Sequence, residues 1–161
     1  MRTGGDFAFM SKDEFILQIQ KYKNELFLLA VSIVDDYHDA EDVVAETMLM
    51  AYEKIASLKK EELFRFWLMK ILVNNARMLL RKKKRFVFVD EIDSYVSVYE
   101  QDISDVWETV LSLDSELKTI VILYYYQGFQ VNEIAKILKI PVGTVKSRLS
   151  RARKKLRTLS D

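Results

Sequence analysis

Apolar positions recur every three to four residues along most of this chain, the spacing of helices with one buried face, and they predict an all-α protein. Ser11-Lys-Asp-Glu14 has the form of a capping box, and Phe15, Ile19 and Tyr22 follow on one face. A second helix is expected over Glu25–Val34, closing before Asp35-Asp36. A third should begin near Asp39, where acids favour the positive end of the helix dipole. It carries Val43, Thr47, Met50, Ala51, Lys54 and Ile55 at helical spacing. A fourth should run from about Glu61 to Arg85, with Phe64, Leu68, Ile71, Leu72, Ala76 and Leu79 apolar. No Gly or Pro lies between Asp6 and Gly128, so these boundaries rest on polarity and caps.

The helical period is lost over residues 86–104. Phe86-Val-Phe-Val89 and Tyr95-Val-Ser-Val98 alternate like strands, but each is too short and isolated to make a sheet. Helices resume near Asp105–Leu113, Ser115–Gln127, Val131–Leu138 and Val142–Leu159, the second of them closed by Gly128 at C′. The expected organisation is a flexible N-terminus over residues 1–10, a helical domain over 11–85, an acidic linker over 86–104 and a second helical domain over 105–161.

Composition narrows the chemistry. The 161 residues contain no cysteine and one histidine, His38. A disulfide scaffold, a thiolate metal site and a cysteine nucleophile are therefore excluded, and a histidine triad or a His-based zinc site nearly so. No catalytic residue, metal site or cofactor is expected. Nothing at the N-terminus resembles a signal peptide, and no apolar run approaches the ~20 residues needed to span a bilayer. A soluble, cytoplasmic protein is expected, with Met10 an alternative start.

The net charge of +1 hides strongly one-signed blocks. Asp35, Asp36, Asp39, Glu41, Asp42 and Glu46 are acidic; Arg77, Arg81, Lys82, Lys83, Lys84 and Arg85 are basic. Asp90 to Asp105 is acidic again, and the end of the chain is basic. A merely solvated helix mixes signs at i,i+4, so the blocks point to two binding modules and a linker.

The sharpest motif lies near the C-terminus. Val131-Asn-Glu-Ile-Ala-Lys-Ile-Leu138 is followed by the turn Lys139-Ile140-Pro141 and a helix in which Val142, Val145, Leu149, Ala152 and Leu156 form one apolar stripe. Thr144, Lys146, Ser147, Arg148, Arg151 and Lys155 lie opposite it. This is a helix-turn-helix whose second helix suits a major groove: Lys and Arg meet phosphate or guanine, and Ser and Thr permit close approach.

Gly128 to Arg153 resembles region 4 of the extracytoplasmic-function sigma factors. Asp39-Ala-Glu-Asp-Val-Val-Ala-Glu-Thr47 with Ala51-Tyr52, and Phe64-Arg-Phe-Trp-Leu-Met-Lys-Ile-Leu-Val-Asn-Asn-Ala76, resemble region 2 of the same family, in the same order. The resemblance spans about Lys12 to Arg157. It implies two helical domains that bind core RNA polymerase and direct it to promoters. Asp42, Val43 and Glu46 would dock on the polymerase clamp helices. The helix from Phe64 would recognise and help melt the minus-ten element, with Asn74 reading an extruded base and Arg77 and the run Arg81, Lys82, Lys83, Lys84 and Arg85 holding the backbone. Lys146, Ser147 and Arg151 match positions that meet the minus-thirty-five element, with Thr144, Arg148 and Lys155 beside them. An anti-sigma factor, often membrane-bound, is a further implied partner, and the apolar surfaces between the domains its natural target.

Three positions depart from the pattern: Gln130 at a cap where Ser is usual, Lys139 where Gly is common in the turn, and Ala45 in place of a common Gln. A helix-turn-helix regulator acting without polymerase is the alternative, and it leaves the N-terminal half unexplained. A metalloenzyme built on the Asp39–Glu46 acids is disfavoured, because they lack a phosphate loop and ligating histidines other than His38.

Overall fold

A computed structural model describes residues 10–85 and 105–160, and all regular structure among them is helical. The first and second expected helices are one: α1 runs unbroken over Lys12–Val34. Lys23 and Asn24, between the two expected helices, are exposed on a continuous helix with no Gly or Pro to end it. Its capping box is formed, with Ser11 Oγ accepting from the Glu14 N–H (3.2 Å) and Glu14 accepting from the Ser11 N–H (2.9 Å). Asp35 ends it in the left-handed region at φ 57°. Asp36 then caps α2 (Tyr37–Lys54) by accepting from the Asp39 N–H, so this helix starts two residues before Asp39. Two 3-10 turns, Ile55–Ser57 and Glu61–Leu63, lead into α3 (Phe64–Arg85), which begins three residues later than the polarity suggested.

These helices form a bundle around Leu26, Leu29, Ala40, Leu68 and Leu72, none with exposed surface. The buried polar pair in it is satisfied, since Asn75 Nδ2 donates to Thr47 Oγ1 at 3.1 Å. Met10, expected in a flexible terminus, is 1% exposed and belongs to this core. Its apolar side chain reaches the bundle just ahead of the Ser11 cap, so order begins before residue 11. Residues 86–104, including both alternating stretches, lie outside the described residues.

The second half contains α4 (Asp105–Leu111), α5 (Ser115–Val121), α6 (Val131–Leu138) and α7 (Val142–Ser160). Past Val121 the backbone widens into a π turn over Ile122–Tyr126, closed by the Gln127 N–H donating to Ile122 O at 2.9 Å. Gly128 follows at φ +73°, the left-handed conformation glycine adopts without strain. Glu133 Oε1 accepts from the Gln130 N–H at 3.0 Å, which supports the cap despite the missing serine. Lys139 takes φ 54°, so the turn keeps its left-handed residue without glycine. Pro141 O accepts from the N–H groups of Thr144 and Val145 and starts α7. Val145, Leu149 and Ala152 are buried as expected, with Val142 and Leu156 partly so.

The two halves pack on each other, α5 and its π turn against α1, and α6 against α3. Ile120, Leu123, Phe129 and Leu138 join the same apolar cluster as the first bundle. Val110, Leu113, Leu117, Val121 and Ala152 form a smaller separate one. No helix among the described residues is long and apolar enough to cross a membrane.

Candidate nucleic-acid interface

On α7 the sequence-selected face divides in two. Successive residues turn about 100°, which sets Lys146, Ser147 and Arg151 away from the buried stripe, and all three are exposed. Arg148, directly before Leu149, flanks that stripe instead. Its side chain is 19% exposed and lies 3.4 Å from the Glu116 carboxylate of α5, while its Nε is buried with no hydrogen-bond partner. Lys155 is held by Asp114 at 2.9 Å, and its charge and hydrogen bond lower the Asp114 pKa. Thr144 is half-buried, its carbonyl accepting from Ser147 Oγ at 3.1 Å. Of the sequence-selected face, Lys146, Ser147 and Arg151 are thus exposed, while Arg148 is largely buried and Lys155 forms a surface ion pair.

On α3 the polar pair separates by role. Asn75 is the packed partner of Thr47, whereas Asn74 is exposed. Trp67 is partly buried and stacks at a tilt on Phe64, as a packing residue does. Residues 81–85 are all exposed and continue α3 as a basic helical end. Lys83 is ion-paired with Asp39, so the basic end of α3 lies beside the acidic start of α2. Arg77 faces the second half, its Nη1 donating to Leu138 O at 2.6 Å. Burial, then the charges of Arg148 and Arg81, lower its pKa from the ordinary guanidinium value.

On α2, Asp42 and Glu46 are exposed one turn apart. Val43 is not on that surface. At 3% exposed it points into the bundle, because it falls one position round the helix on the face shared with Ala40, Val44 and Thr47. Ala45, Leu49 (60% exposed) and Tyr52 take its place as the apolar part of the surface. Leu49 and Tyr52 also border a shallow groove with Ile16 and Met48. The signal for them was the helical spacing from Asp42 and Glu46, read on the outer rather than the inner face. No group of His, Asp and Glu suited to a metal ion occurs among the described residues.

A helix-turn-helix with a basic outer face, packed on a helical bundle in which α3 ends in a basic run, is the arrangement of a DNA-binding protein of transcription. Comparison with known proteins gives the family. The Sigma-70 region 2 model matches residues 18–86 and the Sigma-70 region 4 model matches residues 103–156. The chain is 34% identical to the RNA polymerase sigma factor SigV of Bacillus subtilis, over 86% of this chain and 86% of that protein. It is 30% identical to the ECF RNA polymerase sigma factor SigW of the same organism, over 91% and 88%. The sigma factor RpoE of Bartonella quintana, solved with the anti-sigma factor NepR, superposes with a TM-score of 0.74 at 28% identity, covering 91% of this chain and 96% of that one. The chain belongs to the extracytoplasmic-function RNA polymerase sigma factors, and it directs transcription as one of them. A regulator acting without polymerase is not favoured, since region 2 accounts for the half such a protein would leave unused.

Proposed function

We propose that the sigma-factor roles divide among three surfaces of this chain. Residues 11–85 form the module that docks on core polymerase and opens the minus-ten element. Residues 105–161 form the module that reads the minus-thirty-five element, and residues 86–104 join the two. Docking uses Asp42 and Glu46 for orientation, since complementary charge chiefly sets approach and register, with Ala45, Leu49 and Tyr52 as the apolar contact. Asn74 meets an extruded base, and Arg81, Lys82, Lys84 and Arg85 neutralise phosphates alongside it. Lys146, Ser147 and Arg151 enter the major groove. The chain has no catalytic role of its own, works in the cytoplasm and joins the nucleoid when active. An anti-sigma factor is its natural inhibitor, as NepR is paired with RpoE of Bartonella quintana.

The observation that carries this reading is the exposure of separate reader groups on both modules, Asn74 on α3 and Lys146, Ser147 and Arg151 on α7. Co-purification with core polymerase and run-off transcription test it together. The wild-type chain is expected to co-purify and to start transcripts at discrete promoters. Asp42→Lys with Glu46→Lys is expected to lose both while keeping its helical content. Binding of the double variant at moderate salt, equal to wild type, contradicts the docking surface.

A further inference from the structure

Where the two modules meet, polar and charged side chains are matched across the contact. Ser32 Oγ, fully buried in α1, lies 3.0 Å from Thr119 Oγ1 of α5. Lys118, with its side chain 4% exposed, pairs with Asp35 at 2.7 Å. Arg65 Nε binds Glu25 Oε2 at 2.8 Å, its Nη2 donates to Gln127 O, and its guanidinium lies 4.3 Å from the Phe129 ring centre. Buried polar groups and charges are costly without partners, and along this seam Lys118 and Arg65 each have a carboxylate. One corner, where α3 meets the end of α6 beside α7, is different.

Two arginines that the proposed promoter contacts leave unused come together there. Arg77 on α3 is half-buried and donates to Leu138 O at 2.6 Å. Arg148 on α7 has a carboxylate no nearer than that of Glu116, at 3.4 Å, and that side chain is 65% exposed, so water screens it. The Nε of Arg148 is buried with no hydrogen-bond partner. Arg81, one turn beyond Arg77 on α3, is exposed and adds a third guanidinium. After burial, the charges that act most on Arg77 are those of Arg148 and Arg81, both like its own. Each guanidinium carries five N–H donors in a rigid fork, far more than one carbonyl and one distant carboxylate use.

We propose that this corner is a binding site for a small phosphate dianion, held by the guanidinium groups of Arg77 and Arg148 with Arg81 at its open edge. Arginine forks match phosphate oxygens two at a time, and such charge-assisted hydrogen bonds are the strong ones. The ligand class is inorganic phosphate or the phosphate of a small monoester. A backbone phosphate of duplex DNA fits less well, because Lys146, Ser147 and Arg151 set the duplex on the exposed face of α7 while Arg148 flanks the buried stripe. That choice of a free phosphate over a duplex rests on the reader assignment made above. The bound anion cancels the repulsion among three like charges, so the stability of the chain rises with the concentration of a phosphorylated solute.

Thermal denaturation of the full chain in phosphate-free buffer, followed by circular dichroism, tests this. Inorganic phosphate, titrated at an ionic strength held constant with chloride, is expected to raise Tm saturably. Two charge-assisted contacts put the half-maximal concentration at ~1 mM or below. A nucleoside 5′-monophosphate titrated in parallel separates the sources: greater potency than phosphate assigns the site to a monoester, equal or lower potency to the free ion. Arg148→Gln and Arg77→Gln should each raise the half-maximal concentration at least ~tenfold. Arg77→Lys, which keeps the charge and loses the fork, should fall between Arg77→Gln and wild type, and Lys136→Gln, at an exposed position on α6, should match wild type. The proposal is overturned if phosphate acts no more than chloride at the same ionic strength, or if Arg148→Gln keeps the full shift. It is equally overturned if a duplex of unrelated sequence stabilises the chain through Arg148 and phosphate does not. The reader assignment fails differently: Lys146→Ala with Arg151→Ala would then leave promoter binding unchanged while the phosphate shift persists.

Discussion

In the first module, helices of 23, 18 and 22 residues enclose one another, and Leu26, Leu29, Leu68 and Leu72 are fully buried among them. In the second, α4, α5 and α6 have 7, 7 and 8 residues, too short to persist without tertiary packing. The private core of that module is Val110, Leu113, Leu117, Val121 and Ala152, while Ile120, Leu123, Phe129 and Leu138 face a cluster shared with the first. One module is self-sufficient and the other is completed by its neighbour.

The two tryptophans report on the modules separately, Trp67 on α3 and Trp107 on α4. Leu72→Ala should produce the largest effect, ~2–5 kcal/mol of lost stability from an unfilled cavity. In urea titrations both tryptophan signals should move, because the second module leans on the first; movement of Trp67 alone would break the comparison. Arg65→Ala removes an ion pair, a hydrogen bond and a ring contact at the seam, worth ~1–3 kcal/mol together. Its effect should fall on the Trp107 transition and leave that of Trp67 near wild type.

Smaller effects separate the readers. Arg151→Ala should weaken minus-thirty-five binding by ~1–3 kcal/mol if it reads a base. A phosphate contact would instead weaken all sequences alike and flatten the salt dependence, a distinction that binding titrations on mutated elements resolve. Asn74→Ala should leave both urea transitions unchanged, since the exposed amide packs against nothing in the bundle core. Permanganate footprinting should show its loss only in open-complex formation, and only for some bases at one minus-ten position. An equal loss on all four bases assigns Asn74 to phosphate or packing.

Local features of the fold were readable in the chain. The Ser11 box, the Gly128 stop and both helix-turn-helix helices follow from caps, turns and a 3.6-residue period, all of which act within one helix. The break expected between Tyr22 and Glu25 does not exist, because polar residues on an outward face mimic a boundary in sequence. Val43 was misplaced for the opposite reason: a motif that names consecutive residues cannot say which of them faces out, and the helical turn puts Val43 inside. The seam was invisible because its pairs, such as Ser32 with Thr119 and Arg65 with Gln127, are far apart in sequence. Its trace in the chain was the polar Ser32, Lys118 and Thr119 set within apolar runs, where only a partner from elsewhere explains them.

The central structural claim is that the two modules pack on one another, and a distance between them tests it most directly. Asn24 on α1 and Ser150 on α7 are exposed and outside the proposed reader sets. Changed to cysteine in this cysteine-free chain, they accept spin labels at those two positions alone. Pulsed dipolar spectroscopy should give one short, narrow distance for the free chain. A broad distribution, or a distance beyond the measurable range, would contradict the account.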